Sequence, residues 1–483
     1  MKRSVFVIST YAALAACGGS SANGRLIGGL VRGILGGPPP PPPPPPAVAV
    51  PQPVVVPQPV VIQQRTITVQ QPVVIPQTAI QQPAIPQPVV QEPAVQQPAV
   101  QPTTAAPQTL AAPAAPKVSA WRVEFKAPAT PEMVTAARAE FQKTDGKPER
   151  LALTFSKVDD ATFVSALAAF PEARDVVAEK SQITRLSALA AMKNLKKLGL
   201  KDMSLPDLSP LAALSSLERL EFNYSTIADL SPLAALPNVT YISFYGATVP
   251  DFSPLASMPK LNEIWYYAAK TSEAGFQSLG NLKQVKVFHG GLTKMTSLAW
   301  VANVPQIEEL YVFAEPVADF SPVATAKNLK LFRAWDMTAK GVGKAPVGNI
   351  SFLASCPKLE TVELPGSEYT GLEALARLPL LKSVELTNAV YPLDLAALAG
   401  VATLEQVDIG GSTVAHAEIL AALPNLKTLR MNKTAGVASI IPFGSAPSLS
   451  SLIVKKGAFP AEEIAAVNAA RQAKYSYFKV REY

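Results

Sequence analysis

The sequence predicts an α/β solenoid, a stack of short coils closed by a cap at each end, and three observations carry that expectation. First, the nonapeptides PDLSPLAAL (206–214), ADLSPLAAL (228–236), PDFSPLASM (250–258) and ADFSPVATA (318–326) are nearly one unit. Repetition with a period of about 20 to 50 residues marks an array of stacked units, each unable to bury its apolar face alone. Second, an apolar triple with spacing L-x-x-L-x-L begins three residues after such a motif, as in Leu217, Leu220 and Phe222. Its first members are Leu195, Leu217, Val239, Leu261, Leu282, Ile307, Leu329, Leu359, Leu381, Leu404, Leu426 and Leu449, with a weaker copy from Ala173. The steps are 22 or 23 residues, apart from one of 21, one of 25 and one of 30. Third, 24 of the 47 prolines fall between Pro38 and Pro116, where Arg65 and Glu92 are the only charged residues. The 367 residues from Lys117 on (483 minus 116) have ordinary composition and suffice for such an array.

The chain begins with a pattern of export. Lys2 and Arg3 precede a mainly apolar run, Ser4 to Ala13, too short to span a bilayer. The following Leu14-Ala15-Ala16-Cys17 resembles the bacterial lipoprotein lipobox. That resemblance implies a signal peptide over 1–16, cleavage before Cys17, and acylation of Cys17, with palmitate among its chains. Gly18, where an aspartate would mark inner-membrane retention, favours an outer-membrane lipid anchor, and several chains on one residue anchor stably where one does not. Residues 17–37 form a Gly-rich anchor segment. Within it RLIGGLVRGILGG (25–37) reads either as an amphipathic helix on the membrane or as a flexible spacer, because its five glycines weaken a helix. Residues 38–116 open with nine consecutive prolines and continue as a degenerate Pro-Gln-Pro-Val-Val pattern, which favours a polyproline II stalk.

An uncovered end coil exposes core and an unpaired strand edge, so both ends of the array, 166–457, need caps. Residues 117–165 supply one, with a strand at Trp121 to Phe125, a helix opening at Thr130-Pro131 and a strand near Leu151 to Phe155. Residues 458–483 supply the other, with a helix over 460–473 and a strand over 475–480. Within each coil Ser209, Ser231, Ser253 and Ser321 are placed to cap a short helix that begins with proline. The last two apolar positions of each triple alternate as a strand does.

These repeats resemble the leucine-rich repeat family, in the 22-residue form of bacterial internalin-type surface proteins. The resemblance covers Leu167 to Lys456 and implies a horseshoe with a parallel concave sheet and short convex helices or turns. The family's asparagine, three residues after the triple, is absent: Met203, Ser225, Ala247, Ala269, Glu315, Ser367, Ser412 and Thr434 stand there.

The third, fifth and seventh positions of each coil face out of the concave sheet. In five consecutive coils these fifteen sites include eight aromatics, Tyr241, Tyr245, Trp265, Tyr267, Phe288, Tyr311, Phe313 and Trp335, whereas the twenty-one sites of the other seven coils include none. Cross-strand packing is the alternative use of aromatics in strands. Lys, Arg, Glu, Ser, Thr and Gly fill the same sites in flanking coils, which favours a binding surface. Glu263, Glu309, Glu363, Glu385 and Asp408, with Arg219, Lys286 and Arg333, surround it. Aromatics rimmed by charge match the anatomy of protein interfaces. Sugars also stack on such rings. Five coils span roughly 20 Å, more than a small metabolite needs.

Other chemistry is poorly represented. From Lys117 on the formal charge is +3 (38 minus 35), too small for a nucleic-acid footprint, and Cys17 and Cys356 alone exclude a disulfide framework and multi-thiolate zinc sites. His289-Gly290-Gly291 has no G-x-S-x-G partner, so His289 is expected to be a strand-end residue on the rim. Lys340 to Lys344 lacks the phosphate-loop spacing, and Cys356 takes a core slot. The expectation is a non-enzymatic, cofactor-free envelope lipoprotein that binds a protein through its concave aromatics. The alternative is a peptidoglycan or glycan binder tethered across the periplasm.

Overall fold

The computed structural model describes residues 115–483 except 147, 314, 318 and 336–347, and not the side chain of Trp335. The expected signal, anchor segment, Cys17, the stalk up to residue 114 and the Lys340 to Lys344 stretch lie outside the described residues.

A 17-stranded sheet runs through the described chain. It opens with Lys117–Ser119 antiparallel to Arg122–Lys126, and every later pairing is parallel, from Arg122–Lys126 with Ala152–Ser156 to Ser451–Val454 with Arg481–Glu482. Each coil contributes one strand to this sheet, and its apolar triple points inward. Leu217, Leu220 and Phe222 are fully buried, as are Ile264 and Tyr266. Burying one such side chain stabilises by about 1.5–3 kcal/mol, and the stack forms one continuous core.

On the convex side the nonapeptides fold into single 3-10 turns, Ser209–Ala213, Ser231–Ala235, Ser253–Ser257 and Ser321–Thr325, each with an early proline and a buried Leu or Val. The serines do not cap them. They are the first helical residues, and the aspartate two positions earlier accepts from each serine N–H: Asp207, Asp229, Asp251 and Asp319 through Oδ1 at 2.8–2.9 Å. Serine is one atom shorter and already inside the turn, so the Asx geometry prevails. Bonds from the serine hydroxyl and N–H together hold the carboxyl groups of Asp207, Asp229 and Asp319 below the usual range.

Neighbouring coils are bonded without an asparagine ladder. At the expected position Ser225 Oγ donates to Leu200 O (2.9 Å) and accepts from Met203 N (3.1 Å). Ser412 and Thr434 donate similarly to Leu386 O and Ile409 O. Glu315, 3 % exposed, accepts from Thr293 N (2.9 Å), Thr293 Oγ1 (2.5 Å) and Met295 N (3.0 Å). Met203, Ala247 and Ala269 are simply buried there. A second ladder stands just before the triple, where Asn238, Asn328 and Asn425 donate to carbonyls of the preceding coil. Along one edge, charges alternate from coil to coil: Lys286–Glu308–Lys330, Lys382–Glu360 and Lys427–Glu405 pair at 2.7–2.9 Å. Exposed pairs contribute at most about 1 kcal/mol each. Lys286 thus belongs to this edge and not to the concave face.

One coil is phased differently from expectation. Phe288 pairs in register with Ile264 and Leu310, both inward residues, and is fully buried. The inward triple is therefore Val285, Phe288 and Gly290, and the steps around it are 24 and 22 residues (285 minus 261, 307 minus 285). Leu282 ends the 3-10 turn Ser278–Asn281, as Met258 ends Ser253–Ser257. The extra residues lie on the convex side, in the helix Glu273–Gln277. Phe288 is a core residue and leaves the candidate surface.

Both caps complete the sheet. The C-terminal helix is Ala461–Gln472, but its strand is Arg481–Glu482 and not 475–480. Tyr475 and Phe478 lie instead against Arg471, whose guanidinium is 5.0 and 5.8 Å from their ring centroids. Arg471 is buried and donates to the carbonyls of Ala446 and Leu449. It satisfies the groups a further coil would have covered. Arg471→Ala should cost about 3 kcal/mol locally, since hydrogen bonds to a charged donor are each worth about 1.5–3 kcal/mol. Hydrogen exchange checks this: amides of Ser451–Val454 should exchange faster while those of Lys197–Lys201 stay protected.

Candidate functional site

The concave face is laid out in columns, because the parallel register places equivalent positions of successive coils side by side, about 4.8 Å apart. One column runs Trp265, His289, Tyr311 and Arg333. His289 is stacked between its neighbours: 4.2 Å and 19° from the Trp265 ring, 4.0 Å and 21° from the Tyr311 ring. Correct phasing thus moves His289 from the expected rim to the centre of the file. With seven aromatics and this histidine, the corrected fifteen sites keep their clustering.

A second file lies one alternation along the strands. Tyr245 stacks on Tyr267 at 5.4 Å and 4°, and Tyr267 stacks on Phe313 at 5.4 Å and 13°. The latter two belong to coils two apart, with Gly291 between them. A Cβ on Gly291 would lie 2.6 Å from Phe313 Cβ and 3.0 Å from the Tyr267 ring, so only glycine lets the rings close over it. Tyr224 extends the file edge-on to Tyr245 at 5.2 Å and is 60 % exposed. It packs over Gly246, which has φ +67° and would place a Cβ 2.6 Å from that ring. Sequence spacing missed Tyr224 because its turn lies outside the alternating positions. The Gly246 that the turn requires is the available sign.

The remaining candidates assemble around these files. Tyr241 is 6.5 Å from Trp265, and the Arg219 guanidinium covers its ring at 3.6 Å. Burial pushes the Tyr241 hydroxyl up to about 12, against the opposing pull of Arg219. Glu263 Oε1 accepts from Trp265 Nε1 at 2.6 Å and lies 3.6 Å from His289 Nε2. The Tyr311 hydroxyl donates to Glu309 Oε2 at 3.2 Å. Arg333 pairs with Glu363 at 2.9 Å. Trp335 pairs with Phe313 through its strand, and its side chain lies outside the described residues. Cys356 is fully buried as expected, and burial pushes its thiol up to about 11.

One parallel strand per coil, an inward L-x-x-L-x-L triple and a 3-10 turn behind it recur through the described array, in coils of 22 to 24 residues apart from the 30-residue step between Leu329 and Leu359. The chain folds as a leucine-rich-repeat solenoid. Solved structures similar to it include an internalin of Listeria monocytogenes (21 % identity, 70 % of this chain and 92 % of that one, TM-score 0.47). A leucine-rich-repeat protein of Leptospira interrogans matches at 11 % identity over 67 % of this chain and 88 % of that one, TM-score 0.47. The Toll–Spatzle complex of Drosophila matches at 14 % identity over 72 % of this chain and 45 % of that one, TM-score 0.45. No family profile matches, and no curated protein is similar in sequence.

On this leucine-rich-repeat surface the ring stack has a pH signature. Burial between two rings lowers His289 to about 3, so the file is built on a neutral imidazole. Between the ordinary value near 6.5 and about 3, the unfolded chain binds a proton that the folded chain refuses, so stability falls as pH drops through that window. Above it this group costs nothing. Urea unfolding at pH 7 and pH 4.5 should show the loss in the wild type and a smaller loss in His289→Phe.

Proposed function

We propose that the protein is a non-enzymatic binding protein that grips a protein partner with the concave ring files. The observation that carries this is the stacking itself. The rings of His289 and Tyr267 have both faces taken by neighbours, so at the centre of the files the surface offers ring edges, with the Tyr311 phenol, the Trp265 indole and the Glu263 and Glu309 carboxylates beside them. Edges and polar tips suit the mixed side chains of a polypeptide, with Tyr and Trp as anchors. A sugar would need open ring faces, which His289 and Tyr267 at the centre of the files do not offer.

The reading includes the sequence-level context: acylation at Cys17, an outer-membrane lipid anchor and a Pro-rich stalk over 38–116 that holds the repeats away from the bilayer. The lipobox resemblance supports the first two and the proline run supports the third. Incorporation of an alkyne-palmitate label, lost in Cys17→Ser, tests the anchor.

Recognition is tested by presenting the purified protein with envelope and surface protein extracts and, in parallel, with peptidoglycan sacculi. Retention of a discrete protein, released by Trp265→Ala, is expected. Retention on sacculi with no protein captured would replace this reading with the glycan one.

A further inference from the structure

The concave face changes character beyond the ring files. Glu363, Glu385 and Asp408 occupy the same position in three consecutive coils and are direct register partners, Glu363 with Glu385 and Glu385 with Asp408. Like charges directly opposite each other across strands repel. Over the strands from Tyr241–Ser243 to Thr428–Met431 the concave positions carry Glu263, Glu309, Glu363, Glu385 and Asp408 against Arg333 and Arg430, a balance of −3 (2 minus 5). The domain from Lys117 on is +3, so this face is opposite in sign to the body that bears it. Burial raises the carboxyl groups of Glu363 and Asp408, opposed by Arg333 and Arg430 respectively, and Glu385 adds to the rise at Glu363.

The chain also displays, with its own side chains, the chemistry this face accepts. At one end of the rings the Arg219 guanidinium lies on Tyr241, and at the other Arg333 joins the file to the carboxylate row through Glu363. Arginine and lysine match both halves of the surface, their aliphatic stems lying on ring edges and their charged heads pairing with carboxylates. The files and the row run along the solenoid axis, across the strands.

We propose that the partner segment is an extended polypeptide rich in arginine and lysine, laid along the solenoid axis from the ring files onto the Glu363–Glu385–Asp408 row. The proposal rests on the protein-binding reading and deepens it. A basic segment would relieve the repulsion within the row and place aliphatic stems against the ring edges. Attraction of this kind is screened by salt, so the contact is salt-sensitive.

The test is selection of a phage-displayed random 12-residue peptide library on the full chain. The recovered peptides should be enriched in Arg and Lys and lose binding on Trp265→Ala. They should bind at least tenfold more weakly to the triple variant Glu363→Gln, Glu385→Gln, Asp408→Asn, and progressively more weakly from 50 to 500 mM salt. The triple variant removes the repulsion within the row together with the Arg333–Glu363 pair, so its fold is checked by circular dichroism, and the single variant Glu385→Gln should weaken binding in the same direction. Arg430→Gln gives an independent check and should tighten binding. Peptides that depend on Trp265 but are neutral or acidic, or that ignore both charge variants, would overturn the basic-segment proposal and leave protein binding standing. Recovery of no peptide, or only of peptides indifferent to Trp265→Ala, would overturn both.

Discussion

Gly290→Ala is expected to destabilise the repeat array by about 1–3 kcal/mol, the range for overpacking a well-filled core. Gly290 is the third inward position of its coil, where sister coils carry Phe222, Phe244, Val312 and Leu364. It is glycine because the Tyr266 ring of the preceding coil fills its place: an added Cβ would lie 2.1 Å from Tyr266 Cε2 and Cζ. That ring is fully buried, with Phe276 at 6.5 Å, and its hydroxyl has no hydrogen-bond partner among the described residues. Such a ring has nowhere to retreat. Tyr266→Leu should therefore rescue part of the loss, giving a coupling energy of about 0.5–3 kcal/mol in a double-mutant cycle read by urea unfolding. A Gly290→Ala variant as stable as the wild type, with no coupling to Tyr266, would sink the revised phasing of this coil.

The second large effect is on recognition. Trp265→Ala combined with Tyr311→Ala removes the two rings flanking His289, together with the indole donor to Glu263 and the phenol donor to Glu309. Anchors of this type typically cost at least about 2 kcal/mol each on truncation, so binding of the captured partner should weaken by roughly a thousandfold. Each stacked pair lost contributes about 0.5–1.5 kcal/mol beyond the area the rings bury, and both rings are only half-buried. The melting temperature should fall by several degrees while the array stays cooperatively folded. A collapse in stability with unchanged affinity would instead assign the rings to cross-strand packing.

The sequence made the solenoid legible because a stacked array writes its core as a period, and twelve recurrences outweigh local ambiguity. The strands lie where the triples place them, as Arg219–Glu221 and Glu263–Trp265 show. Phasing failed in one coil because Leu282 and Val285 are both apolar and buried, three residues apart, and either can begin a triple. The choice of Leu282 put Phe288 on the surface and His289 at the rim, and both are reversed in the structure. The paired steps of 21 and 25 were the visible trace of that slip, since their sum equals 24 plus 22. The serine caps failed for a different reason: a serine and an aspartate two residues apart both suit a helix start, and only backbone geometry chooses between them. Stacking was beyond reach because ring orientation depends on glycines such as Gly291, whose effect is steric and two coils wide.

The central claim, that the concave files contact a protein, is tested most directly by site-specific photo-crosslinking in living cells. A benzophenone amino acid would replace Tyr311 on the concave face and, separately, Ile441, which is exposed at the convex turn Ile441–Gly444. A discrete, protease-sensitive adduct from position 311 and none from position 441 is the expected result. Adducts from 441 alone would move recognition to the convex side and contradict the assignment of the ring files.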